Sequence, residues 1–121
     1  MSMTILTVDD SRTMRDMLKL ALVAAGFDVV QAEDGVHGLE VLDTARPDVI
    51  VTDINMPRMD GFGFIEGVRG DERHRAVPIL VLTTESDTDK KMRARNAGAT
   101  GWIVKPFDPA KLVDAIRRVA A

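Results

Sequence analysis

Five short apolar runs alternate with five helical patterns along the chain, and this alternation limits the fold more than any other feature. In chain order the runs are 5–8, 28–32, 49–51, 79–82 and 102–104. All are continuous and rich in Val, Ile and Leu except 28–32, which is more polar. Continuous apolar runs are typical of strands covered on both faces in a parallel sheet. The sequence therefore predicts an α/β fold with helices on both sides.

The helical patterns carry recognisable start signals. Ser11, Asp34 and Asp108 are placed to cap the first, second and fifth helices, and Pro109 suits a first helical position. The fourth helix is predicted to begin at Ser86. The predicted inward-facing residues are Met14, Met17, Leu18, Ala21, Leu22 and Ala25; Val36, Leu39, Leu42 and Ala45; Phe62, Ile65 and Val68; Met92, Ala94 and Ala97; and Leu112, Val113, Ile116, Val119 and Ala120. The fourth set is the poorest, so we expect that helix to be loosely anchored.

Five strand-helix pairs joined by right-handed crossovers leave few arrangements. We predict a doubly wound, flavodoxin-like (βα)5 fold with strand order 2-1-3-4-5, which places the polar second strand at an edge. The 121 residues suit one domain spanning 1–121.

Composition excludes several classes of function. The chain has no cysteine, so it holds no disulfide, thiolate metal site or cysteine nucleophile. No apolar stretch approaches the roughly 20 residues of a membrane span, and no signal peptide is visible, so we expect a cytoplasmic protein. A net charge of −3 gives no nucleic-acid footprint. His37 and His74 lack ligand spacing, and we interpret both as surface residues.

Polar side chains follow four of the five predicted strands. Asp9 and Asp10 follow the first strand, Asp53 the third, Thr83 the fourth and Lys105 the fifth. In open parallel sheets ligands bind beyond the carboxyl ends of the strands, where the strand order reverses. The first and third strands flank that point, so we expect these side chains to share one cleft.

The charges in such a cleft predict its chemistry. Two carboxylates ~4 Å apart repel by about 4 kcal/mol at an effective dielectric near 20, so three acids require a proton or a cation. All the donors are oxygens, which suits Mg²⁺. Metal and Lys105 would neutralise charge on a transferred phosphoryl group. Asp53, on the central strand, is the candidate nucleophile that forms an acyl phosphate.

These residues resemble the response-regulator receivers. The resemblance rests on Asp9-Asp10, on the segment Asp53-Ile54-Asn55-Met56-Pro57-Arg58-Met59-Asp60-Gly61, on Thr83 and on Lys105-Pro106. It spans residues 5–119, and it is strongest to the stand-alone chemotaxis (CheY) type, because the chain stops after the fifth helix without an output domain. A protein of this type is a signalling switch that catalyses only its own phosphorylation and dephosphorylation.

The resemblance implies a role for each residue. Asp53 would accept the phosphoryl group from a histidine kinase, as the phosphoacceptor. Asp10 and Asp53 side chains, with the Asn55 backbone carbonyl, would hold Mg²⁺, and Asp9 would act through an ordered water. Asn55 and Glu85 would tune the phosphoryl lifetime.

The resemblance also implies how the signal leaves the site. Lys105 would pair with the phosphoryl oxygens, and its bond to Pro106 would be cis. Thr83 would move to the phosphoryl group and an aromatic residue on the fifth strand would turn inward. Here that residue is Trp102, where the family usually has Tyr or Phe, so core packing of Trp102 without switching is the alternative.

The expected partners are a histidine kinase, a flagellar motor switch protein or another output target, and a phosphatase, with no nucleic acid and no membrane. The target would bind a basic face on helix 4, strand 5 and helix 5, whose residues are Lys90, Lys91, Arg93, Arg95, Lys111, Arg117 and Arg118.

Three alternatives stay open. One is a non-motor single-domain receiver, such as a phosphate sink, cell-cycle regulator or relay intermediate. A haloacid-dehalogenase-like phosphatase needs a second Asp two positions after its nucleophile, where this chain has Asn55. A flavin or dinucleotide carrier needs a glycine-rich loop after the first strand, which the sequence lacks.

Overall fold

A computed structural model of the chain describes residues 2–121. The strands are Thr4–Val8 (β1), Asp28–Ala32 (β2), Val49–Thr52 (β3), Ile79–Thr83 (β4) and Gly101–Val104 (β5). The helices are Arg12–Ala24 (α1), Gly35–Ala45 (α2), Gly61–Gly70 (α3), Thr88–Ala97 (α4) and Pro109–Ala120 (α5). Strands and helices alternate five times, as predicted from the apolar runs.

The five strands form one parallel sheet in the order β2-β1-β3-β4-β5, which confirms the predicted topology. The polar strand β2 lies at one edge, where its composition predicted it. β5 lies at the opposite edge, beside β4. Burial of β5 on both faces, which its apolar run indicated, is wrong: Val104 keeps 44% of its surface exposed, because an edge strand has a neighbour on one side alone.

Alternate side chains of the strands enter two cores, one on each face of the sheet. On one face, Leu6 and Ile50 pack with residues of α2, α3 and α4. On the other face, Ile5 and Val51 pack with residues of α1 and α5. The helical contributions to the first core are Leu42, Phe62, Phe64, Ile65, Val68 and Ala94, and those to the second are Leu18, Leu22, Leu112 and Ile116. No helix in residues 2–121 is long and apolar enough to cross a membrane.

The helix starts follow the predicted caps with one exception. Ser11, Asp34 and Asp108 each accept a hydrogen bond from a backbone N–H in the first turn of α1, α2 and α5, respectively. The predicted cap at Ser86 is wrong. Asp87, one residue later, caps α4, because its carboxylate reaches the N–H of Asp89 at 2.8 Å.

Two predicted inward-facing methionines point to solvent. Met17 of α1 is 50% exposed and Met92 of α4 is 51% exposed. In α4 the small side chain of Ala94 is fully buried instead, so this helix offers little apolar surface to the core. Its C-terminal end is held by a polar contact, because the half-buried Arg69 guanidinium donates two hydrogen bonds to the Gly98 carbonyl, at 2.8 and 3.0 Å.

Candidate functional site

The carboxyl ends of β1 and β3 place two acids side by side. Asp9 and Asp53 each follow the last residue of their strand, and the Asp53 N–H donates to the Val8 carbonyl at 2.9 Å. Helix α3 begins directly beneath Asp53, since a side chain at Gly61 would overlap the Asp53 carbonyl oxygen and Ile54. Local packing therefore fixes the backbone on which Asp53 sits.

Three carboxylates and one ammonium meet at this edge. Oxygens of Asp9, Asp10 and Asp53 lie within 4.8 Å of one another. The Lys105 Nζ atom donates to Asp9 Oδ2 at 2.9 Å and to Asp53 Oδ2 at 2.8 Å. The second oxygen of Asp53 accepts the Ile54 N–H at 2.6 Å. Asp9 and Asp53 are buried, whereas Asp10 is exposed at the mouth.

The electrostatics of the cluster follow from burial and a shortage of positive charge. Burial raises the pKa of Asp9, and the hydrogen bonds from Ser11 N–H and Lys105 oppose that rise. Burial lowers the pKa of Lys105, but its hydrogen bonds and attraction to Asp53 and Asp9 together outweigh this, so its pKa is raised. One ammonium facing three acids leaves a formal excess of two negative charges. The Lys105-Pro106 bond is cis, as the resemblance implied.

The donor set fits a hard divalent cation. Carboxylate oxygens from Asp9, Asp10 and Asp53 are close enough together to share one ion, and Mg²⁺ prefers oxygen ligands while keeping several waters. The excess negative charge supplies the electrostatic reason to bind it. The Asn55 backbone carbonyl, which the family resemblance adds to this set, follows Asp53 by two residues.

Glu85 connects the rest of the predicted site. Its N–H donates to Thr83 Oγ1 at 3.3 Å, and its carbonyl accepts the Trp102 indole N–H at 3.1 Å. Its Oε1 accepts hydrogen bonds from Asn55 Nδ2 at 3.1 Å and from Lys90 Nζ at 3.0 Å. Thus the structure joins Thr83, Asn55 and Trp102 through one residue. The contact with Lys90 escaped the sequence reasoning, because nothing in the sequence distinguishes this lysine from Lys91.

A second contact missed from the sequence fastens the loop between β3 and α3. Arg58, in a left-handed conformation with φ of 64°, donates to both oxygens of Asp34, at 2.7 and 3.0 Å. The hydrogen bond from Arg58 is the main reason that the pKa of Asp34 is lowered. Asp34 therefore caps α2 and holds the loop that carries Asn55.

A separate charged cluster lies at the amino ends of the strands, and it corrects the interpretation of His74. This histidine is 6% exposed rather than a surface residue, and its Nε2 lies 2.9 Å from Asp43 Oδ1. Asp71 completes a group whose geometry would allow a metal ion. The guanidinium of Arg73 already bridges Asp43 and Asp71, at 3.1 and 2.9 Å. The chain thus supplies its own cation here.

Two residues of the predicted basic face also contact aromatic rings. The guanidinium of Arg93 lies over the Phe62 ring, 4.0 Å from its centre, and that of Arg117 lies 5.6 Å from the centre of the Phe27 ring. Both residues are nevertheless exposed. The exposed Lys91 and Arg95 remain on α4 beside Trp102, where together they line a cavity of about 440 Å³.

Comparison with known proteins agrees with this geometry. The sequence matches the response regulator receiver domain over residues 5–117. It is 42% identical to the chemotaxis protein CheY1 of Helicobacter pylori, over 97% of this chain and 96% of that protein. The match does not favour the phosphatase and carrier alternatives.

Solved structures show the same architecture. The crystal structure of the Vibrio cholerae chemotaxis protein CheY4 has a TM-score of 0.94 and 44% identity, covering 98% of this chain and 99% of that one. The receiver domain of the Pseudomonas aeruginosa sensor histidine kinase PA1611, solved with magnesium coordinated in its active-site cleft, has a TM-score of 0.91 and 27% identity, covering 99% and 98%. The chain belongs to the response regulator receiver family.

Proposed function

We propose that this protein is a chemotaxis-type switch that takes a phosphoryl group from a histidine kinase onto Asp53 and then changes its affinity for a target. One observation carries the proposal: Asp53 lies in a cluster of three carboxylates with a single ammonium, at 2.8 Å, as their partner. Such a cluster has an anionic nucleophile, a site for a divalent cation and a fixed positive charge. These are the groups that phosphoryl transfer needs.

The chemistry is a displacement at phosphorus. A carboxylate oxygen of Asp53 attacks the phosphorus of a phosphohistidine, the P–N bond breaks, and the imidazole nitrogen leaves with its electron pair. Lys105, already bonded to Asp9 and Asp53, is in reach of the transferred oxygens and neutralises their charge. Mg²⁺ held by Asp9, Asp10 and Asp53 would supply further neutralisation. The Ile54 N–H keeps the acceptor carboxylate in a fixed orientation.

The response begins at Thr83. Its hydroxyl accepts the Glu85 N–H at 3.3 Å, a long and therefore weak hydrogen bond. A phosphoryl group on Asp53 offers that hydroxyl a charged acceptor, and charge-assisted hydrogen bonds are the stronger ones. When the Thr83 hydroxyl turns to the phosphoryl group, the segment before α4 loses the hydrogen bond made by the Glu85 N–H. Trp102 bonds the same residue through the Glu85 carbonyl, so the indole responds to movement of this loop.

The target of a chemotaxis-type receiver is a flagellar motor switch protein, and we propose the α4-β5 face as its binding site. A cavity of about 440 Å³ lies there between α4 and Trp102, and it is lined by Met92 together with Lys91 and Arg95. An apolar side chain flanked by acids on the partner would fit this surface. We also propose a cytoplasmic location, because the phosphoryl donor and the motor switch would meet the receiver there.

The proposal is tested by incubating the protein with acetyl phosphate in the presence and absence of Mg²⁺ and measuring the intact mass. We expect an increase equal to one phosphoryl group only with Mg²⁺, removed by hydroxylamine because the product is an acyl phosphate. No mass increase with Mg²⁺ would refute the receiver chemistry. A pull-down with motor switch protein, with and without beryllofluoride, separates motor control from the non-motor receiver roles: binding that beryllofluoride does not strengthen favours the latter.

A further inference from the structure

One residue on α4 reaches the rim of the acceptor site. Lys90, in the first turn of α4, donates to Glu85 Oε1 at 3.0 Å, and the same oxygen accepts from Asn55 Nδ2 at 3.1 Å. Asn55 follows Asp53 by two residues. The three side chains therefore form a continuous polar path from the target-binding helix to the phosphoryl-acceptor loop.

We propose that Lys90 is a positioning residue for hydrolysis of the phosphoryl group, because it holds the Glu85 carboxylate against Asn55 at the rim of the pocket. The inference rests on the proposed function, since it concerns the stability of the phosphorylated Asp53. Lys90 sets the direction in which the Glu85 carboxylate points. It does not itself contact the phosphoryl group.

The backbone and the side chain of Glu85 are held by different groups. The indole N–H of Trp102 donates to the backbone carbonyl oxygen of Glu85, and this bond holds the residue after Thr83 has turned to the phosphoryl group. Lys90 and Asn55 bond to its carboxylate, and Lys90 is the larger cause of the lowered pKa of Glu85. Removing Lys90 therefore leaves the residue in place, with its carboxylate held by the Asn55 amide alone and less restricted in direction.

The orientation of this carboxylate matters for the attacking water. In hydrolysis, water attacks phosphorus, the bond from phosphorus to the Asp53 oxygen breaks, and inorganic phosphate and the free carboxylate are released. The proton of the water passes to phosphate or solvent. The hydrogen bonds from Lys90 and Asn55 both go to Oε1, so they fix the direction of the carboxylate and make it a weaker base toward that water. Once released from Lys90, it accepts a hydrogen bond from the water and assists the attack.

Exposure of the pair limits the size of the effect. The side chain of Lys90 is 43% exposed and that of Glu85 is 28% exposed. Partly exposed ion pairs contribute little, because solvent screens them. Lys90→Met should therefore speed hydrolysis by about two- to five-fold.

The position of Lys90 also links target binding to signal lifetime. Lys90 belongs to α4, beside the cavity proposed for the target. An acid on the target that pairs with Lys90 withdraws it from Glu85, as the Lys90→Met change does. Target binding should then speed hydrolysis, as Lys90→Met does.

The test follows release of inorganic phosphate from protein that was phosphorylated with acetyl phosphate and Mg²⁺ and then desalted. We expect faster release from Lys90→Met and a rate near that of the unaltered protein from Lys90→Arg, which retains the ion pair. Lys19→Met is the matched control, because Lys19 lies on α1, is exposed and makes no bond to Glu85. Its release rate should be unchanged.

A double-substitution cycle distinguishes positioning from a general effect of charge. In a Glu85→Gln background, Lys90→Met should have little further effect, because the ion pair is already absent. Unchanged or slower release from Lys90→Met overturns the inference, and so does an equal acceleration in the Glu85→Gln background. If the unaltered protein takes up no phosphoryl group, the proposed function fails as well. Normal uptake with no effect at Lys90 rejects this inference alone.

Discussion

The two edges of the sheet both collect charged side chains but balance them differently. At the carboxyl edge, Asp9, Asp10 and Asp53 share one cation, Lys105. At the amino edge, two acids share one guanidinium, and an imidazole lies beside them. Arg73 bridges Asp43 and Asp71, and His74 lies against Asp43.

Arginines at the amino edge also hold the backbone. Arg69 donates to the carbonyls of Arg75, Val77 and Gly98, so it ties the end of α3 to the segments that precede β4 and β5. Each of the two acids at this edge therefore has a side-chain partner within the protein. At the other edge three acids surround one ammonium, and this larger excess of negative charge is a cost to the folded state that a bound cation removes.

The contrast can be tested by removing one acid from each edge. This test has the largest expected effect. Asp53→Asn should abolish phosphorylation by acetyl phosphate with Mg²⁺, because the amide oxygen is not a nucleophile of comparable strength. Asp43→Asn, at the amino edge, should be phosphorylated like the unaltered protein. Intact-mass measurement reports both. Continued phosphorylation of Asp53→Asn, at any site, would remove the basis for assigning the acceptor.

Lys105, the ammonium that bonds to Asp9 and Asp53, gives the second test. Lys105→Ala should leave the fold intact while a phosphoryl group on Asp53 no longer raises target affinity, because the phosphoryl oxygens lose their fixed partner. Arg73→Ala, at the amino edge, should leave that response unchanged. Affinity for motor switch protein, measured with and without phosphorylation, compares them. A normal response in Lys105→Ala would show that this lysine has no part in the switch.

Substitutions at the two edges should change the free energy of unfolding in opposite directions. These changes should be smaller than the two effects described above. Without Mg²⁺, Asp9→Asn should raise the free energy of unfolding by about 1 kcal/mol, because it removes a buried charge from an acidic cluster. Arg73→Ala should lower it only slightly, as expected for an exposed ion pair. Urea unfolding measures both. A destabilised Asp9→Asn variant would contradict the proposed imbalance.

The stability gained in Asp9→Asn should depend on pH, and the pKa of Asp9 gives the sign of this dependence. The pKa of Asp9 is raised in the folded state above its ordinary value of 3.8, mainly by burial. The folded state therefore holds the proton more tightly, and the contribution of Asp9 to stability falls as pH rises above 3.8 through the raised folded pKa. The stability gained in Asp9→Asn should accordingly grow over that interval and then level off.

Sequence reasoning was correct for the strands, for three helix caps and for the outline of the cleft. Apolar runs indicated the strands and their order, and Ser11, Asp34 and Asp108 cap helices as their positions predicted. The cleft was predictable in outline, because parallel strands deliver their following residues to one edge. Each of these inferences depends on chemistry that acts locally or on the geometry of a parallel sheet.

Sequence reasoning was wrong for residues whose side chains are common both in the core and at the surface. Met92 and Met17 were placed in the core by spacing, yet both lie on the outer side of their helices. His74 was placed at the surface, although it is buried against Asp43. Contacts such as Lys90 with Glu85 depend on side-chain direction across a loop, which helical spacing alone does not specify.

Fluorescence of Trp102, the only tryptophan in the sequence, tests most directly whether the unbalanced acids form a phosphoryl pocket connected to α4. Mg²⁺ and beryllofluoride, a mimic of the phosphoryl group, are added separately and then together. We predict a change in emission that requires both, because only the pair fills the pocket, recruits Thr83 and moves the loop that carries the Glu85 carbonyl. Emission that stays the same with both present would contradict this connection.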